Sequence, residues 1–263
     1  MSKIFIFLTI LILGFGFYFL LKDMVEKAKI KTELEHKIRK GVSLNKISII
    51  TLYDNYQFDP KLKVGWGFSC LIKINEKNIL FDTGGDSETL LSNMEKMEIN
   101  PKNIDFVFIS HLHGDHTGGL AGVLAIKPDL NVYKPESFSA PNEIINGVWT
   151  TGPLGTWIKE QSLIINSEKG LIIITGCAHP GVVNIIKKAK EMFPEEKIYL
   201  VLGGFHLIGV DSQELKKIIK DFRIFGVQKV SPCHCSGDKC RELFRQEYKE
   251  NFIENGTGKI IEI

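Results

Sequence analysis

The sequence has little of what would mark a stapled, repetitive or nucleic-acid-coating chain. Cysteine is scarce and odd in number, five in 263 residues. A disulfide framework is therefore not expected, whereas reduced thiols able to meet a metal are. Proline is held to nine residues, and neither a low-complexity tract nor a short-period repeat interrupts the chain, which excludes collagen-like and disordered classes. Neither sign of charge dominates. Lys and Arg total 33 against 31 Asp and Glu, a formal net charge of +2. The concentrated positive field that phosphate backbones attract is missing, and no nucleic-acid partner is expected. What is there is ordinary globular material, 44% hydrophobic and 24% charged, long enough for one large domain or two small ones.

One long apolar run stands out. Ile4 to Leu21 reads IFIFLTILILGFGFYFLL without a charge; as a helix it would cover roughly 27 Å, near the thickness of a bilayer core. A cleaved signal peptide is the competing reading. The run is long for that role, and Leu20-Leu21-Lys22-Asp23 offers no small-x-small cleavage site. The expectation is a transmembrane anchor over 1–21, single-pass in the cell membrane and in contact with its lipid. Lys22, Lys27, Lys29, Lys31, Lys37, Arg39 and Lys40 follow the run and only Lys3 precedes it, which leans the catalytic domain towards the cytoplasmic side. Residues 22–45 read as a charged stalk, and the folded domain is expected over 46–263.

Within that domain, strands are predicted at Lys46–Tyr53, Phe68–Ile74, Asn78–Phe81 and Asp105–Ile109, then at Ser162–Asn166, Leu171–Thr175, Lys197–Leu202, Val227–Val230 and Lys259–Ile263. Helical spacing marks Ser87–Met97, Val182–Met192, Ser212–Phe222 and Lys239–Tyr248. Strands followed by helices predict an α/β sandwich with helices outside two packed sheets. Residues 127–160, rich in Gly, Pro and Trp, read as an irregular insertion over one end.

The chemistry is concentrated after the buried strand DFVFI. His111-x-His113-x-Asp115-His116 places four ligand-capable side chains within six residues. Alternate residues of an extended backbone point the same way, so His111 and His113 can address one metal. Gly114 permits a reversal, after which Asp115 and His116 can address a second. Imidazole with carboxylate suits zinc. Later in the chain, His179 stands in Thr175-Gly176-Cys177-Ala178-His179, His206 in Gly203-Gly204-Phe205-His206, and His234 in Cys233-His234-Cys235. Cys233-x-Cys235-x4-Cys240 matches no common zinc or iron–sulfur spacing. Trp66, Trp149 and Trp157 offer faces for a flat ring, or pack under a loop.

The HxHxDH string resembles the signature of the metallo-β-lactamase superfamily. The resemblance implies an αββα sandwich with two divalent metal ions, most simply zinc, at one edge. It also implies that Asp82, in Phe81-Asp82-Thr83-Gly84-Gly85, supports the ligands by orienting an imidazole. The ligand set then becomes His111, His113, Asp115, His116, His179 and His234. Here the sequence departs from the family pattern: no His lies between His116 and His179, and Cys177 falls where the family places its bridging Asp. Either His179 replaces the missing ligand, or Cys177 contributes, or both. Asp115 and His206 are the candidate proton-handling residues, His206 alternatively a ligand or substrate contact.

GWGFSCLI, ILFDTGG, ISHLHGDHTGGL, EQSLIINSEKGLIIITGCAHPGVVNII, LGGFHL and SPCHCSG together are similar to the branch described as dihydropterin-methyl-ribofuranosyl-aminobenzene 5′-phosphate synthases. That similarity implies a small-molecule substrate containing pterin or phosphate, and a dihydropterin-methyl transferase releasing diphosphate. A metal-dependent hydrolase of a phosphate ester is the alternative, and a metal-binding sensor without turnover the third reading. Di-iron redox relatives carry HxExDH, and His113 argues against that chemistry.

Overall fold

A computed structural model describes residue 22 and residues 46–263. The anchor expected over 1–21, its lipid contact, and all of the stalk over 22–45 except Lys22 lie outside the described residues. Among the described residues no helix is long and apolar enough to cross a membrane.

Two six-stranded sheets form the frame. The first begins with β1 (Ile47–Tyr53) and continues through β2 (Ser69–Ile74), β3 (Lys77–Phe81), β4 (Phe106–Phe108) and β5 (Asn131–Tyr133). The last strand, β12 (Ile260–Glu262), pairs antiparallel with β1 and closes its outer edge. Asn75, at φ 53°, turns the β2–β3 hairpin. β3, β4 and β5 run parallel. The second sheet has the order β11 (Lys229–Cys233), β10 (Ile198–Gly204), β9 (Gly170–Thr175), β8 (Leu163–Ser167), β7 (Val148–Thr150), β6 (Asn142–Ile145). Its first three strands are parallel and the rest antiparallel.

Period-2 alternation explains how apolar strands serve two layers at once. Ile49, Ile72, Phe81, Phe108, Ile172, Ile174 and Leu202 meet in the core between the sheets. Their neighbours Ile50, Leu71, Leu80 and Val107 face outward, where α1 (Ser87–Lys96) brings Leu90 and Met94, and α3 (Leu120–Ile126) brings Val123. The short α2 (Gly114–Thr117) precedes α3. On the second sheet, α4 (Val182–Met192) contacts β9 and α6 (Asp238–Tyr248) contacts β11, with α5 (Ser212–Ile224) against both helices. The mixed α/β sandwich matches the expected class.

Residues 127–160 differ from the expectation. They contain β5, β6 and β7, which extend both sheets. Three- and four-residue strands are too short to show a period in sequence.

Candidate metal centre

The carboxyl ends of the parallel strands deliver the candidate residues to one edge. Asp82 follows β3, Ser110 and His111 follow β4, Cys177 follows β9, His206 follows β10 and His234 follows β11. The backbone is strained where they gather: Asp82, Ala178, His206 and His234 hold φ between 49° and 65°, a region costly for residues with a Cβ. Gly176 admits the approach of Ser110. A Cβ there would lie 2.0 Å from the Ser110 hydroxyl and 2.7 Å from the Ser110 Cβ, so no larger residue fits unless Ser110 itself moves.

Four imidazoles are oriented in the same manner, with Nδ1 tied back and Nε2 left to the centre. His116 Nδ1 donates to Asp82 Oδ2 at 2.7 Å. Asp82 also accepts from the Ser110 N–H and hydroxyl, each at 2.7 Å. Having donated its only proton, Ser110 Oγ accepts from His111 Nδ1 at 3.0 Å. One buried carboxylate thus orients both His116 and, through Ser110, His111. His179 Nδ1 donates to Glu160 Oε2 at 2.8 Å. Glu160 further accepts the backbone N–H groups of Cys177, Ala178 and His179 at 3.0, 2.7 and 2.8 Å, holding the Cys177–His179 turn as a unit. His234 Nδ1 donates to Asn55 Oδ1 at 3.0 Å. Sequence reasoning passed over Ser110, Glu160 and Asn55. Ser110 is betrayed only by adjacency to His111; the other two sit 19 and 179 residues from the histidines they orient.

The Nε2 atoms and their neighbours form two groups that share one sulfur. Asp115, His116, Cys177 and His234 present ligand atoms within 4.8 Å of one another, as do His111, Cys177 and His179. His113 joins through His111 and Asp115, its Nδ1 3.2 Å from His111 Nε2. Two imidazole nitrogens at that distance cannot both aim lone pairs at each other without a proton or a cation to share. Cys177 Sγ lies 3.2 Å from His116 Nε2 and 3.4 Å from His234 Nε2. All the residues expected as ligands are therefore brought together. His206 stands to one side, grouped with Cys177 and Cys235, exposed and 4.5 Å from His179 ring to ring.

Electrostatics suit a cation. Burial lowers His111 and His116 to about 3, keeping both imidazoles neutral. Burial opposes ionisation of Glu160, but the His179 hydrogen bond, His111 and the backbone amides hold it down to about 2. Burial likewise opposes ionisation of Asp115, yet His234 and His116 keep its carboxyl far below the usual range. Burial pushes Asp82 up to about 8; positive charge at the imidazoles it orients would draw it back down. A hydrogen bond to Cys235 and burial push the Cys177 thiol up, so metal at Sγ would displace a proton. Nitrogen, sulfur and carboxylate donors at one buried edge are a set that a borderline divalent ion such as zinc accepts.

The tryptophans separate. Trp149 is partly buried and packs edge-on against Phe193 at 5.5 Å. Trp66 is half-exposed beside His234, 5.0 Å ring to ring. Trp157 projects into solvent.

A sequence model of the metallo-β-lactamase superfamily matches residues 64–187. The 7,8-dihydropterin-6-methyl-4-(β-D-ribofuranosyl)-aminobenzene-5′-phosphate synthase of Methanocaldococcus jannaschii is 32% identical, the alignment covering 83% of this chain and 97% of that protein. Among solved structures, Tm1679, described as a metal-dependent hydrolase of the β-lactamase superfamily, superposes with a TM-score of 0.70 at 27% identity over 82% of this chain and 99% of its own. The metallo-β-lactamase-fold protein YhfI from Bacillus subtilis shares the fold at 14% identity, with a TM-score of 0.60 over 83% of this chain and 99% of its own.

Proposed function

The chain belongs to the metallo-β-lactamase superfamily of metal-dependent enzymes, and from that membership we propose that it is a dinuclear enzyme transferring a dihydropterin-methyl group to an aryl amine with release of diphosphate. The observation that carries the dinuclear reading is the pair of ligand groups meeting at Cys177. His111, His113 and His179 would hold one ion, Asp115, His116 and His234 the other, with Cys177 facing both. Zinc fits those donors. Bound there, the ions would neutralise charge on diphosphate oxygens or, in a hydrolase, lower the pKa of water to roughly 7. The reaction class follows the 32% identical synthase.

In the transfer, the amine nitrogen bonds to the pterin methylene carbon and the carbon–oxygen bond to diphosphate breaks, its electron pair leaving with the diphosphate. The amine sheds one proton. His206 would take it: it is exposed beside His179, and a hydrogen bond to Cys235 raises its basicity against the opposing effect of burial. Asp115 stays anionic and serves as a ligand, with His234 Nε2 at 3.3 Å. Hydrolysis, of a phosphate ester or a related bond, is the second reading; the resemblance to Tm1679, described as a metal-dependent hydrolase, supports hydrolysis as such.

The test is elemental analysis of the full-length protein purified without chelators, alongside assays with dihydropterin-methyl diphosphate plus an aryl amine and with a phosphodiester. About two zinc ions per chain with pterin coupling is the expected result. Metal with ester cleavage alone would replace the transferase by the hydrolase, and absence of bound metal would overturn both.

A further inference from the structure

Next to His113 the surface opens into a cleft of about 470 Å³ whose lining includes Leu112, Phe138, Trp157, Glu136 and Lys159. The volume lies in the range of small-molecule sites. Two loops make its walls. One is the turn Pro135–Ser137 after β5. The other runs from Leu154 to Glu160, whose backbones exchange hydrogen bonds at 2.8 and 3.0 Å, Leu154 N–H to Glu160 carbonyl and the reverse. Trp157 stands at the tip of that second loop, 98% exposed, and Leu112 is 56% exposed. Apolar surface left in water at this density next to a catalytic edge is costly unless a ligand covers it.

Resting on the transferase reading, we propose that this cleft is the pterin subsite: the flat ring lies against the face of Trp157 and the apolar wall of Leu112 and Phe138, with its methylene directed past His113 to the metal centre. Glu136 supplies the polar recognition. Its carboxylate is exposed in the cleft wall, and among the described residues no side-chain hydrogen bond or ion pair engages it. The 2-amino and ring N–H groups of a pterin form a two-donor edge that one carboxylate accepts side by side. Lys159, the other charged residue of the lining, already donates to the Gly155 carbonyl at 2.6 Å, which leaves the acidic group to select the ligand. A donor-edged, flat, uncharged ring is therefore preferred over an anionic one. His113 lines the cleft and belongs to the ligand groups, so a ring seated here is in line with the reacting centre.

The test uses the full-length protein and 6-hydroxymethylpterin, which lacks the diphosphate and reports the ring alone. Isothermal titration should show binding to wild type. Trp157→Ala and Glu136→Gln should each weaken it by at least about tenfold, with metal content by elemental analysis unchanged. Trp157→Phe, which keeps an aromatic face, should restore binding to within about threefold of wild type. The same variants are carried into the coupling assay. Pterin binding that depends on Trp157 and Glu136 without coupling upholds the subsite and rejects the transferase. Coupling whose KM is indifferent to both substitutions upholds the transferase and rejects the subsite. Wild type that does not bind the pterin, or binds it equally well in both variants, overturns the subsite.

Discussion

Cys177 is the residue on which both ligand groups depend. Removing its sulfur takes a donor from each, so Cys177→Ala should weaken metal binding at both positions, whereas His113→Ala should spare the group built on His116 and His234. Competition with a chromophoric chelator measures both; two ions retained by Cys177→Ala at unchanged affinity would contradict the shared sulfur. The residues behind the ligands act at one remove. Glu160→Gln loses one acceptor for the four N–H groups that Glu160 now holds, and Ser110→Ala breaks the link from His111 to Asp82. Each should cost about 10–100-fold in metal affinity, read in the same titration. This layer is also where sequence reasoning ended. His111, His113, Asp115 and His116 were legible because four ligands crowd into one strand exit. Asn55 and Glu160 were not, because their partners become neighbours only once the sheets are assembled.

At the scale of elements, the helix after the Asp82 turn shows how strands and caps hold the site edge. Asp86 caps α1 by accepting the Thr89 N–H at 2.7 Å, and its second oxygen accepts the Tyr53 hydroxyl at 2.8 Å. Gly84 lies under the same tyrosine: at φ +66° a Cβ would sit 2.4 Å from the ring. Asp86→Ala should destabilise the fold by about 2 kcal/mol, from the lost cap and the stranded hydroxyl, measured by urea unfolding at pH 7. Partial burial works to raise the Asp86 pKa, but the Thr89 amide, the Tyr53 hydroxyl and Lys63 hold it below its ordinary value. A depressed carboxylate stabilises above its unfolded pKa of about 4 and loses that contribution as pH falls through the folded value. The gap between wild type and Asp86→Ala should therefore narrow at about pH 3. Long apolar strands and α4, whose bounds fall at Val182 and Met192 as its spacing predicts, were readable locally. β5 to β7 were not, since pairing with neighbours is what makes strands of such short segments.

For the whole molecule, the centre is a junction between the sheets: Asp82, His111 and His116 come from the first, Cys177, His179 and His234 from the second. An ion binding both sides stabilises the folded state by mass action, about 4 kcal/mol at a free concentration a thousandfold above Kd. Dialysis against EDTA should lower the thermal unfolding midpoint, and zinc should restore it; a midpoint indifferent to chelation would show that the sheets do not need the ions to stay joined. The αββα arrangement itself was legible from strand and helix order, while the cleft beside His113 was not, because its lining comes from segments whose spacing carries no period. The Leu154–Glu160 backbone pairing has a consequence for descent. It seals the loop behind its tip, on the residue that clamps His179. Gly155 is tied to that seal, since at φ +86° a Cβ would lie 2.6 Å from the Ile158 carbonyl, so it is the chemistry of the side chains at 156–159 that should change without passing the disturbance to the ligands. Exchanging the side chains at 156–159 with Gly155 kept would then change what the site selects while conserving how it reacts, the separation that lets one scaffold diversify.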